Sequence, residues 1–160
     1  MSIVSDAGPI LSFARANLLD LLRQVVGTIV IPEAVYADIV VQGAGKPGAS
    51  EVQTASWITR EAVKDRSFVD QLPTRLHLGE REAIALAKEL GTALLVDERD
   101  ARRTASQLNI PVVGSLRVLK EAKDRGSISL VKPSLDELIA TGTYISDTLY
   151  HTFLRDAGEA

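Results

Sequence analysis

Two aspartates each follow a short apolar run of the kind that forms a buried strand. Asp6 comes directly after Ile3–Ser5, and Asp97 comes directly after Ala93–Val96. In open α/β sheets, ligands bind outside the carboxyl ends of parallel strands, near the point where the strand order reverses. We therefore expect both carboxylates to face one cleft, although an aspartate at either position can also serve as a helix N-cap.

A third carboxylate comes from the helical pattern around Ile84. At helical spacing, Ala83, Ile84 and Ala87 form an apolar stripe, and Glu80 shares the face of that stripe. Glu82 falls on the flank of the helix, where we expect it to be solvated. A glutamate on a core-facing stripe is costly unless a cation or the N-terminus of the helix compensates its charge.

Two further aspartates are weaker candidates. Asp38 lies one turn after Val35, at the edge of an apolar helix face, where a solvated helix residue is the simpler interpretation. Asp100 lies close after Asp97 and can either line the cleft or pair with Arg103 on the helix surface.

Several carboxylates in one cleft indicate a site for a hard divalent cation. Without a cation they repel each other and raise their own pKa values. Mg²⁺ and Mn²⁺ prefer oxygen ligands, and such a site can polarise a phosphodiester and stabilise the leaving oxygen. The chain has no cysteine and only two histidines, His77 and His151, which favours this chemistry over a zinc site.

Groups that can contact a nucleic-acid backbone also lie near these acids. They are Arg99, Arg102 and Arg103, which follow Asp97, and the hydroxyl of Ser115. A solvent-exposed helix face explains the arginines at least as well, and a capping or loop hydroxyl is the simpler interpretation of the serine.

The composition predicts a globular protein rather than a disordered one. The chain has 160 residues, of which 46% are hydrophobic and 24% charged, so we expect a single domain over residues 1–160. The net charge of −3 predicts no broad basic surface. The sequence shows neither a membrane-length apolar stretch nor a signal-peptide pattern, and we expect a soluble, cytoplasmic protein with no membrane partner.

Short apolar runs alternate with helical patterns, which is typical of an α/β fold with a mostly parallel sheet. The predicted strands are residues 2–5, 28–31, 57–59, 93–96 and 111–113. Pro9 and Pro32 each mark a helix start, Ser134 and Ser146 are predicted caps of later helices, and residues 41–50 read as a loop. The final helix, at about 145–156, is a candidate for packing on the domain or for dimerisation.

Four blocks of the sequence together resemble a PIN domain. They are "IVSDAGPILSFARANLLDLL", "IVIPEAVYADIV", "LHLGEREAIALAKELGTALLVDERDARRTA" and "IPVVGSLRVLKEAKDRG". The resemblance covers nearly the whole chain and implies a three-layer α/β/α sandwich with a mostly parallel sheet of about five strands. It also implies an acidic pocket that binds Mg²⁺ or Mn²⁺ and cleaves single-stranded RNA.

Carried over by position, the acids of the family motif fall on Asp6, Asp38, Glu80 and Asp97, with Asp100 as a weaker match. The resemblance thus implies that Asp6, Glu80 and Asp97 hold the metal, with Asp100 as a further metal ligand, and that Asp38 assists in catalysis. It further implies a ribonuclease toxin of a toxin–antitoxin pair, with an antitoxin protein and a second copy of the chain as partners.

Two positions depart from the family pattern. Val96 stands where many PIN nucleases have Thr or Ser. Asp38 stands where the compact stand-alone prokaryotic PIN-like proteins, the branch that this chain resembles most, more often have glutamate. Two alternatives therefore stay open beside a metal-dependent endoribonuclease. One is a PIN fold that binds RNA or protein without catalysis. The other is a receiver-like phosphoacceptor domain, although the paired acids expected after its first strand are absent, since Ala7 follows Asp6.

Overall fold

The computed structural model describes residues 2–160 and contains a parallel sheet of five strands. The strands are β1 Ser2–Ser5, β2 Thr28–Ile31, β3 Ile58–Arg60, β4 Leu94–Leu95 and β5 Val112–Val113. Their order across the sheet is β3-β2-β1-β4-β5. Each predicted strand is therefore present, to within one residue at its boundaries.

Ten helices lie within residues 2–160. They are α1 Ala7–Arg15, α2 Leu19–Val26, α3 Glu33–Tyr36, α4 Ala49–Thr54, α5 Arg66–Gln71, α6 Leu78–Leu90, α7 Arg99–Gln107, α8 Ser115–Asp124, α9 Lys132–Ala140 and α10 Asp147–Asp156. α3 continues into one wide π turn, Ala37–Val41. The sequence pattern did not predict α4 or α5, both of which are only six residues long.

The sheet order places the point of reversal between β1 and β4. β1 pairs with β2 on one side and with β4 on the other. The carboxyl ends of β1 and β4 therefore flank the crevice in which α/β proteins bind ligands. In receiver domains the first strand lies between the second and the third, so this order is inconsistent with the receiver-like alternative.

The two faces of the sheet pack against separate apolar clusters. Alternate strand residues point to opposite faces, so Ile29 and Leu95 join one cluster with residues of α1, α2, α8, α9 and α10. Val4 and Leu94 join the other cluster with residues of α5, α6 and α7. Helices thus cover both faces of the sheet, which confirms the three-layer α/β/α architecture.

The start of α9 differs from the sequence prediction. Ser134 was expected to cap this helix, but α9 begins two residues earlier, at Lys132. The carboxylate of Glu159, which follows α10, accepts hydrogen bonds from the backbone N–H of Val131 at 2.8 Å and of Lys132 at 3.1 Å. Glu159, which is distant in sequence, therefore caps the N-terminus of α9 in place of Ser134. At α10 the prediction is confirmed, because Ser146 accepts the Leu149 N–H at 3.2 Å.

The last helix packs on the domain. Leu154 is buried in the first cluster, and Ile145, Tyr150 and Phe153 pack partly against it. The Tyr150 hydroxyl also donates a 2.6 Å hydrogen bond to Asp136 on α9. Among residues 2–160, no helix combines the length and the apolar character that crossing a membrane would require.

Candidate metal and nuclease site

Asp6 lies at the carboxyl end of β1, at the centre of the crevice. Its backbone N–H donates to the Leu95 carbonyl at 3.0 Å, which ties the residue to the end of β4. The side chain is buried, with 8% of the residue exposed. Asp6 occupies the N-cap position of α1, yet its carboxylate makes no capping hydrogen bond there. The capping interpretation therefore does not explain this aspartate.

The electrostatic surroundings of Asp6 oppose its charge. Burial is the main cause that raises its pKa, from 3.8 to about 6, and the Ala7 backbone N–H offsets part of this effect. The negative charges of Glu80, Asp38 and Asp97 raise the pKa further. Three other carboxylates therefore lie near enough to Asp6 to disfavour its ionised form.

Asp38 approaches Asp6 across a glycine. A methyl group on Gly79 would lie 2.9 Å from Oδ2 of Asp38 and 3.9 Å from Oδ1 of Asp6, so both carboxylates face the space beside this glycine. Burial raises the pKa of Asp38, the nearby charge of His77 lowers it, and that of Glu82 raises it. Asp38 is half-buried in the π turn rather than solvated on a regular helix. The wide turn alters the face on which its side chain emerges.

Glu80 lies in the first turn of α6, on the same inward-facing side of the helix as the apolar stripe. Only 8% of the residue is exposed, as the stripe predicts. Its Oε1 accepts the His77 backbone N–H at 2.8 Å, so Glu80 also closes the N-terminus of its helix. The position near the helix N-terminus favours a carboxylate. The capping and cation-binding interpretations of Glu80 are therefore compatible.

Glu82 corrects the sequence prediction, because it is buried rather than solvated, with 4% of the residue exposed. Its Oε1 accepts the Ala34 backbone N–H at 2.9 Å, and its Oε2 accepts from Nη1 of Arg66 at 2.8 Å. The cause is that α3 packs across the flank of α6, which the periodicity of α6 alone does not reveal.

Asp97 follows β4 and is exposed at the mouth of the crevice. Its Oδ1 accepts the Ser115 backbone N–H at 2.8 Å, and its Oδ2 accepts the Ser115 hydroxyl at 2.5 Å. Asp97 is not the cap of α7, since Glu98 holds that position and accepts from the backbone N–H groups of Asp100 and Ala101. Ser115 thus fixes the orientation of Asp97 instead of facing solvent.

The three arginines near Asp97 have separate surroundings. Arg102 turns back and donates from Nη1 to the Val96 carbonyl at 2.9 Å. A methyl group on Gly114 would lie 2.7 Å from that nitrogen and 3.2 Å from Oδ1 of Asp97, so the guanidinium stays beside the acidic edge. Arg99 and Arg103 are exposed on α7.

Asp100 is engaged away from the carboxylates that act on Asp6. Its carboxylate lies 3.6 Å from Nε of Arg75 and 3.9 Å from Nη1 of Arg103. The surface-pair alternative for Asp100 is therefore the one that the structure contains.

The donor chemistry of this edge fits a hard divalent cation. Asp6, Asp38, Glu80 and Asp97 offer only oxygen atoms, and the absence of a side chain at Gly79 lets the carboxylates of Asp38 and Asp6 approach this position. Across residues 2–160, no group of three or more acidic or histidine side chains is already gathered around one point. Mg²⁺ commonly takes one or two carboxylates and retains several waters, so it does not need such a closed group.

Comparison with known proteins gives the same fold. A family model described as a PIN domain, DUF3368, matches residues 2–159. A solved PilT N-terminus domain protein from the hyperthermophilic archaeon Sulfolobus solfataricus P2 is similar to this chain with a TM-score of 0.50 and 15% identity. The match covers 91% of this chain and 98% of that chain. No curated protein sequence matches.

Proposed function

Because this chain belongs to the PIN domain family, whose members are generally nucleases, we propose that it is a metal-dependent endoribonuclease that hydrolyses phosphodiester bonds of single-stranded RNA. The observation that carries the proposal is the environment of Asp6. This carboxylate is buried at the strand-order reversal, and three further carboxylates raise its pKa. A cation at this edge would turn an unfavourable cluster of charge into a favourable one.

Asp6, Glu80 and Asp97 are the proposed ligands, acting directly or through water, with Asp38 assisting from across Gly79. When bound, Mg²⁺ or Mn²⁺ would supply Lewis-acid stabilisation of the charge that develops on the phosphodiester. Ser115 holds the Asp97 carboxylate in one orientation through two hydrogen bonds. The hydrogen bond from the His77 N–H fixes Glu80 in the same way.

Arg102 can contribute positive charge to the same edge. Its guanidinium is held beside Asp97 by the bond to the Val96 carbonyl, which leaves other N–H groups free to contact a phosphate oxygen. The proposed site does not require a hydroxyl at position 96, where Val96 replaces the Thr or Ser of many PIN nucleases. The hydroxyl that contacts Asp97 comes from Ser115 instead.

The role as a toxin stays a prediction from the family resemblance. With this role we also propose an antitoxin protein and a second copy of the chain as partners. The proposed location is the cytoplasm.

The test is cleavage of a mixed, labelled single-stranded RNA pool with Mn²⁺, Mg²⁺ or EDTA. Wild type is compared with Asp97→Asn and with Asp20→Asn, a matched control at an exposed aspartate on α2. We expect wild type and Asp20→Asn to cleave only with a divalent cation. We expect Asp97→Asn to lose at least about 100-fold in rate, the several kcal/mol that metal-assisted stabilisation supplies. Absence of cleavage by wild type, with measurable RNA binding, would favour the non-catalytic alternative.

A further inference from the structure

A groove of about 830 Å³ begins at the acidic edge and runs along α8 to the C-terminal segment. Asp97, Gly8 and Gly114 form its inner end. Its walls come from the start of α7, from α8, from α10, and from the segment that joins α9 to α10. The lining residues used below are Arg102, Arg117, Lys120, Tyr144, Leu149 and Phe153. The groove is therefore continuous with the proposed site of cleavage.

One wall of the groove carries positive charge despite the net negative charge of the chain. Arg117 and Lys120 lie one turn apart on α8, and Arg102 lies near the acidic edge. Within residues 2–160, Arg117 is exposed and has no ion-pair partner. Lys120 pairs with Asp124 at 2.7 Å, an exposed contact that a phosphate can replace at little cost.

The opposite wall carries apolar and aromatic surface that the fold leaves uncovered. Tyr144 is 87% exposed and Leu149 is 45% exposed, whereas Phe153 is partly buried against the core. A tyrosine so exposed contributes almost nothing to the packing of the domain. Its ring is instead available to a flat partner group, as in proteins that stack the bases of a single strand on aromatic side chains.

Two acidic residues besides Asp97 also line the groove, namely Glu98 and Asp156. The Glu98 carboxylate accepts backbone N–H groups at 3.0 and 2.7 Å, so the start of α7 partly compensates its charge. Asp156 is exposed near the end of α10. The positive wall on α8 is thus the part of the groove that can attract a phosphate backbone.

We infer that this groove is the path of a single RNA strand on one side of the scissile phosphate. Phosphates contact Arg102, Arg117 and Lys120, and one base stacks on Tyr144. The inference rests on the proposed function, since the acidic edge defines where the strand is cut. Positive side chains and an exposed aromatic ring in the same groove are the combination that binds single strands without sequence preference.

Binding is measured first, by fluorescence anisotropy of a labelled single-stranded RNA in EDTA, where metal-dependent cleavage is suppressed. We expect Tyr144→Ala to weaken binding about 10-fold and Tyr144→Phe, which keeps the ring, to bind almost as wild type. Arg117→Ala should lower the slope of log K against log salt by about 0.7, the value for one phosphate contact on a single strand. The matched control is Arg23→Ala, an exposed arginine on α2 outside the groove, and it should retain the wild-type slope.

Cleavage with Mn²⁺ then separates this inference from the proposed function. Tyr144→Ala should raise KM with little change in kcat, because a remote stacking contact acts equally in the ground state and the transition state. Asp97→Asn should lose cleavage and keep the dependence of binding on Tyr144. If wild type cuts RNA while Tyr144→Ala and Arg117→Ala bind and cut as wild type does, the groove is not the RNA path. That result would overturn the inference alone and leave the groove as a surface for a protein partner.

Discussion

Two buried carboxylates, Glu82 on α6 and Asp6 after β1, have contrasting environments. Glu82 is 4% exposed, and both its oxygens have donors, the Ala34 N–H and Arg66. Asp6 is 8% exposed, has one favourable backbone contact, and faces three other carboxylates. The burial is similar, so the difference lies in the compensation of the charge.

This difference is the basis for proposing a structural role for Glu82 and a ligand-binding role for Asp6. A buried charge that is paired and hydrogen-bonded belongs to the fold, because removing it leaves its donors unsatisfied. A buried charge among like charges opposes the fold, and it persists only if something else requires it. On this reasoning Glu82 links α3 to α6, whereas the environment of Asp6 supports the proposal that Asp6 binds a cation.

The largest expected effect on stability is a gain from removing the Asp6 charge. Its pKa rises from the ordinary value of 3.8 to about 6 in the folded protein, so between these values the folded state binds the additional proton. Stability contributed by Asp6 is therefore complete below about pH 4 and is lost as the pH rises through about 6. Asp6→Asn should raise the free energy of unfolding by up to about 3 kcal/mol at pH 7.5 without divalent cations.

Urea unfolding in EDTA at pH 4 and pH 7.5 measures this effect. The gain of Asp6→Asn over wild type should be present at pH 7.5 and nearly absent at pH 4. Asp20→Asn, which removes an exposed charge from the first turn of α2, should change either value by less than about 1 kcal/mol. A loss of stability on Asp6→Asn at pH 7.5 would mean that the carboxylate has stabilising partners, and the contrast with Glu82 would disappear.

The opposite sign is expected at Glu82. Glu82→Ala should lower the free energy of unfolding by about 2 kcal/mol, because the partly buried Ala34 N–H loses its acceptor. Glu82→Gln retains an acceptor and loses only the pair with the half-exposed Arg66, so it should cost no more than about 1 kcal/mol. Equal losses in the two variants would assign the effect to charge rather than to the hydrogen bond.

The smallest effect is expected at Ser115, which orients Asp97. Ser115→Ala removes the hydroxyl donor and keeps the backbone one, a net loss of about 1 kcal/mol and about fivefold in the rate of RNA cleavage. Ser106→Ala, at an exposed serine of α7 that does not line the groove, provides the control. A Ser115→Ala rate as low as that of Asp97→Asn would indicate that the serine itself contacts the substrate.

The sequence predicted the positions that depend on one element alone. Asp6 and Asp97 follow apolar strands, and parallel strands bring their carboxyl ends to one edge wherever the sheet places them. Glu80 was predicted from the stripe of its own helix. These inferences needed no knowledge of which element packs on which.

The remaining features depend on contacts between distant segments. The periodicity of α6 reports its face toward the sheet but not the approach of α3, so Glu82 was assigned wrongly. The bond between Ser115 and Asp97 and the cap that Glu159 gives α9 also join separate elements. The sequence around Tyr144 does not indicate a groove, because the two walls of the groove come from helices that are distant in sequence.

The most direct test of the contrast between the two acids is the binding of Mn²⁺ by isothermal titration calorimetry at pH 7.5. Wild type and Glu82→Gln should bind the ion with similar affinity, and Asp6→Asn should bind at least about 10-fold more weakly, the scale of an altered metal site. Equal Mn²⁺ affinity in wild type and Asp6→Asn would contradict the assignment of Asp6 to a cation.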